Sequence, residues 1–157
     1  TFQTRNWSVT PFIGIAYHKW DRDLSRHPAG YREVYTWWTA PIGIRLLYYW
    51  DEKWSSGLNL AVAFMHDAEM DLSGLGPGYT DPSFSLGNKP GYRVEIPIDY
   101  WYSEHWKVSF TPFYRCYKFG RSAPRIVMQN RWGTASMYEP ESKTTISGLA
   151  VTIKYSF

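Results

Sequence analysis

The chain has 157 residues and no linker-like stretch, so positions 1–157 are read as a single domain. Its net charge of +3 comes from bases interleaved with acids, which argues against a nucleic-acid surface, and one Cys excludes an internal disulfide or a Cys-pair metal motif. No run of about 18 apolar residues occurs, which excludes a membrane-spanning helix.

Six long runs alternate with the side-chain period of a strand: roughly Ser8–Trp20, Val34–Trp50, Gly57–Leu72, Gly91–Tyr102, Lys107–Arg121 and Thr144–Phe157. In each run one parity is apolar. The first carries Val9, Pro11, Ile13, Ile15 and Tyr17, and the second Trp38, Ala40, Ile42, Ile44, Leu46 and Tyr48. Leu58, Leu60, Val62 and Phe64 follow, then Val94, Ile96 and Ile98, then Val108, Phe110 and Cys116, and at the end Leu149, Val151, Ile153, Tyr155 and Phe157. The opposite parity is small, polar or charged. A helical spacing of i, i+3, i+4 and i+7 is not sustained.

The connections alternate in length. Tyr49-Trp50-Asp51-Glu52-Lys53-Trp54 and Tyr100-Trp101-Tyr102-Ser103-Glu104-His105-Trp106 are short and similar, as in a weak internal repeat, whereas about Asp21–Glu33, Ser73–Pro90 and Ser122–Lys143 are long and rich in Gly, Pro, Ser and Arg. Aromatic residues gather at the strand ends and make up 19% of the chain, an excess that amphipathic girdles at two water interfaces would explain.

The final strand, ending on Tyr155 and Phe157, resembles the closing strand of bacterial outer-membrane β-barrels, and the chain length is similar to that of the small eight-stranded barrels. The resemblance implies that Tyr155 and Phe157 form a signal for the barrel assembly machinery, that the short turns are periplasmic and that the long loops are outside. The expected fold is all-β, an antiparallel transmembrane β-barrel of meander topology. Six strands are readable and eight are favoured, since single-chain bacterial barrels start at eight. A fragment of a larger barrel, or one completed by other chains, remains an alternative. The chain has no initiator Met and no leader pattern, and is read as processed or trimmed.

The inward parity carries the chemistry. Arg45, Arg93, Glu95, Asp99, Arg115 and Lys154 are expected to form an ion-pair network, with Glu95 opposite Arg115 and Glu69 opposite Arg93. Directly opposed side chains lie ~4.5–5.5 Å apart, close enough for opposite charges to pair. Asp67, Glu69 and Asp71 fall on consecutive inward positions near the outer end of the third strand, with His18 inward on the first. Clustered carboxylates can share a proton, as general acid–base catalysis exploits, so these four are the catalytic candidates. No Ser/His/Asp spacing supports them, and the expected chemistry is non-enzymatic.

Lys19, Arg22, Arg26 and Arg32 in and beside the first long connection, with Arg121, Arg125 and Arg131 in the third, suit phosphorylated lipopolysaccharide. The expectation is therefore a bacterial outer-membrane protein without cofactor or metal that acts as a structural anchor, a surface-binding protein or a narrow porin-like pore. Its partners would be outer-membrane lipids, lipopolysaccharide, the assembly machinery and, in an oligomer, its own copies. Two alternatives stay open: an outer-membrane hydrolase, acyltransferase or protease using an acidic rim, and a soluble lipocalin-like barrel whose apolar parity faces a ligand.

Overall fold

Period-two alternation produces strands throughout, and no helix occurs among the described residues of this computed structural model, which are 1–27, 30–131 and 133–157. Pro28 and Ala29 of the first long connection and Trp132 of the third lie outside the described residues. In chain order the strands are β1 (Phe2–Gln3), β2 (Trp7–Ile13), β3 (Ala16–Asp23), β4 (Arg32–Tyr49), β5 (Trp54–Ser73), β6 (Ser83–Ser85), β7 (Gly87–Asn88), β8 (Gly91–Glu95), β9 (Ile98–Trp101), β10 (Trp106–Gly120), β11 (Arg125–Asn130), β12 (Gly133–Met137) and β13 (Ser142–Tyr155).

The six alternating runs form one antiparallel meander: β2 with β3, then β4, β5, β8 with β9, β10 and β13. Two of the six are interrupted without loss of register. Ile13 pairs Ile42 and Ala16 pairs Thr39 on either side of the first gap, and Glu95 pairs Phe113 and Ile98 pairs Phe110 on either side of the second. Pro41 faces the first gap and Pro97 lies in the second; proline has no N–H for the ladder. The eight strands favoured from the sequence do not appear among the described residues. Positions 73–90 supply only the short β6 and β7, and β11 and β12 form a separate two-stranded sheet.

The sheet curls. Trp20 on β3 meets Tyr117 and Phe119 on β10 at ring distances of 5.8 and 6.1 Å, although β4, β5 and β8 stand between them in the sheet. On the concave side, toward the long connections, Tyr35, Trp37, Met65, Met70, Phe84 and Phe119 are buried in one apolar core. The two edges stay apart among the described residues: β13 pairs only β10, while β2 and β3 pair β4 and, at Ser8 and Val9, β1.

The convex face is apolar and open. Ile42, Val62, Phe64, Phe110, Val151 and Ile153 are each at least 44% exposed, forming a band far beyond the scattered apolar residues of an ordinary surface. Aromatic side chains bound it on both sides. Toward the short turns stand Trp7 with Tyr48, Trp54 with Tyr100, and Trp106 with Tyr155, at ring distances of 4.7–4.9 Å; toward the long connections stand Tyr17 with Trp38 and Tyr92 with Tyr114. The two long-strand turns share a design. Trp50 N–H bonds the Trp54 carbonyl and Tyr102 N–H the Trp106 carbonyl, while Asp51 and Ser103 side chains accept from the backbone inside each turn.

One bulge changes the facing of β5. Trp38 pairs His66, yet Thr36 pairs Glu69, so Trp37 stands against both Asp67 and Ala68, and Asp67 takes φ 48°. Below this level the odd positions of β5 face inward. Above it Ala68, Met70 and Leu72 do, and they are buried.

Candidate functional site

The bulge decides the candidate chemistry. Asp67, Glu69 and Asp71 were expected to face inward; the extra residue turns all three to the convex face, where they are exposed. His18 lies on the other face. Its Nε2 is 2.9 Å from Thr39 Oγ1, and its ring stacks on Trp37 at 4.9 Å and 12°. The structure therefore does not bring the four catalytic candidates together. Asp67 instead contacts His66 at 3.3 Å, both side chains being mostly exposed.

The ion-pair residues do converge, with shifted partners. Arg93 pairs Arg115 in register and Glu95 pairs Phe113, so Glu95 reaches Arg115 diagonally. Both guanidinium groups lie 3.3 Å from the same oxygen, Glu95 Oε1. Asn59 Nδ2 donates to Glu95 Oε2 at 3.2 Å, and Arg45 Nε donates to Asn59 Oδ1 at 3.2 Å. Glu69, expected opposite Arg93, pairs Ser85 instead, and Arg93 faces Ala61 on β5. Nearer the short turns, buried Asp99 accepts from Lys107 Nζ at 2.8 Å and from the Ser109 hydroxyl. Lys154 lines the same cleft, in register with Lys107.

This part of the concave face carries an excess of positive charge. Arg45, Arg93, Lys107, Arg115 and Lys154 are set against two carboxylates, Glu95 and Asp99, among the described residues. Lys107 was missed in the sequence, although it shares the parity of Arg115. Two aromatic rings brace the arginines. The Arg93 guanidinium lies 5.9 Å from the Phe12 ring centroid and that of Arg115 4.9 Å from Phe113. Each ring sits opposite a glycine, Phe12 on Gly43 and Phe113 on Gly148; a β-carbon on Gly43 would come within 2.6 Å of Phe12 Cζ.

A second cluster lies beyond the outer aromatic row. Arg22 Nη1 contacts the buried Glu33 at 2.9 Å, and the Tyr35 hydroxyl donates to Glu139 Oε1 at 3.0 Å. Burial raises the Glu139 carboxyl above its ordinary value, with the Tyr35 bond pulling the other way, and burial also raises the Tyr35 hydroxyl. Glu33 shares the parity of Tyr35 and Trp37, a signal available in the sequence. Glu139 lies in a long connection where no alternation guides the reading. Of the expected headgroup cations, Arg22 serves Glu33, and Arg32 makes a two-pronged contact with Asp21. Lys19 is exposed on the convex face and Arg26 is exposed in the first connection.

These features define an all-β protein built on one curled antiparallel meander. Compared with known proteins, the chain matches no protein-family model, and no curated protein matches it.

Proposed function

We propose that the chain is a membrane-spanning β-sheet domain of the bacterial outer-membrane barrel class, acting as a non-enzymatic anchor and surface-binding protein. The observation that carries this reading is the exposed convex apolar band between two rows of aromatic side chains. Ten residues separate Trp38 from Tyr48. At about 3.3 Å per residue and a tilt of ~45° they would cover about 23 Å, close to the ~25 Å apolar band of such barrels. Joining the two free edges through strands of a longer chain, or through another copy, would complete the barrel.

In this reading the short turns lie in the periplasm and the long connections outside. Lys19 and Arg26 then stand near lipopolysaccharide phosphates, and Tyr155 and Phe157 serve the assembly machinery. The aromatic core around Trp37 and Phe119 favours an anchor over an open pore, because it fills the concave side at the outer end. A lipocalin-like reading would need the apolar parity to line a cavity, and here that parity is convex. Alkaline carbonate washing of membranes from expressing cells tests the proposal. The protein is expected to stay in the membrane pellet and to require detergent for release; recovery in the wash would overturn it.

A further inference from the structure

We propose that the concave face between Arg93 and Arg115 is a binding site for a small oxyanion, with inorganic phosphate as its representative. Like charges placed directly opposite each other in a sheet are destabilising, and these two guanidinium groups share one carboxylate oxygen. Glu95 has little more to give, because Asn59 occupies its other oxygen. Arg93 Nε is near Glu95 Oε1 but is not aimed at it. It and Arg115 Nε are buried N–H groups without a hydrogen-bond partner. The two side chains are nevertheless partly exposed, at 33% and 39%, so an anion in front of them would accept from their accessible Nη–H groups and relieve the repulsion.

Space exists for it. A cavity of about 180 Å³ lies against Arg93 and Arg115, walled by His18, Thr39, Ala63 and Tyr117. That is several times the ~30 Å³ share of a liquid water, room for a five-atom oxyanion with water beside it. Phe12 and Phe113 hold the guanidinium groups from the side, so their donors are oriented before a ligand arrives. The aromatic core lies toward the long connections, while Arg45, Lys107 and Lys154 line a neighbouring cleft toward the short turns. Such a positively lined cleft raises the local concentration of anions on the concave face. The inference rests on the curl of the sheet and not on membrane insertion.

The test is calorimetric titration of inorganic phosphate into the full chain, folded in a neutral, phosphate-free detergent. Saturable binding of one equivalent is expected. Arg93→Met and Arg115→Met should each weaken it at least tenfold, and Arg26→Met, exposed in the first connection, should change it less than twofold. Ala63→Leu fills the cavity without touching a charge, and should abolish binding while tryptophan fluorescence and circular dichroism stay those of the parent. Absence of saturable binding to the parent chain, or binding unchanged in the Ala63→Leu protein, would overturn the proposal.

Discussion

Asp67 holds a left-handed backbone, φ 48°, opposite Trp37, and it is the one non-glycine residue with positive φ among the described residues. Every side chain of β5 beyond it faces the opposite way from the alternation below it. Asp67→Gly should therefore fold normally, because glycine adopts this conformation freely, whereas Asp67→Val should lose about 1–2 kcal/mol. Deleting residue 67 removes the bulge and should leave stability near that of the parent, since Ala68 then stands alone opposite Trp37 and Glu69 and Asp71 keep the convex face. Reversible urea unfolding in detergent measures all three; equal stability of the Val and Gly variants would contradict the bulge.

Facing predicts a second set of costs. Arg at Ile44, Val62 or Val151, on the convex band, should destabilise the protein by ~2–4 kcal/mol in lipid vesicles if the position lies near the bilayer midplane. Thr152→Arg, on the concave face, should cost less. Equal losses on the two faces in vesicle refolding would count against lipid contact at the convex side.

The outer connections should respond to pH in opposite senses. Glu139 has its carboxyl raised above the ordinary 4.5, so its contribution to stability is fully present below that value and is lost as pH rises through the folded value. Asp21 and Asp23 are lowered from 3.8, the first chiefly by the Arg32 side-chain hydrogen bond and the second by the Ser25 side chain and backbone. Their contribution is present above 3.8 and lost as pH falls through the folded values. Glu139→Gln keeps an acceptor for Tyr35 and should flatten the decline above pH 4.5. Hydrogen-exchange protection at Ser122–Tyr138, corrected for intrinsic exchange, reports it; an unchanged profile would discount Glu139 as the titrating group.

Assembly offers a fourth measurement. Phe157 is fully exposed, with its ring 5.1 Å from Tyr155. Deleting it should lower accumulation in the outer membrane severalfold while leaving refolding into detergent intact. Normal accumulation in cells would remove the role given to the terminal aromatic.

The strands were legible because a half-buried strand writes its facing into alternate residues, as β4 does from Ile42 to Tyr48. Registers were not. The pairing of Arg93 with Arg115, where Glu95 was expected, depends on the length of the Ser103–His105 turn, and one position of offset per strand changes every partner. The carboxylates of β5 were misplaced because a bulge adds one residue without breaking the alternation on either side of it. Nothing in the sequence around Asp67 interrupts the pattern, and a residue that tolerates positive φ is only a weak mark. Glu139 was missed for a different reason: it is half-buried by contacts with the distant Tyr35 on β4 and with Ser122, which no local pattern records.

The second and third long connections are knitted together. Thr80 gives both its N–H, at 2.8 Å, and its hydroxyl, at 3.2 Å, to the carbonyl of Val127, and Lys89 pairs with Glu141. The face they present is thus a mosaic of sequence-distant pieces. Antibodies raised against the folded protein should read it as a discontinuous epitope, and a synthetic peptide copied from either loop alone should neither compete for them nor elicit antibodies that bind the native molecule.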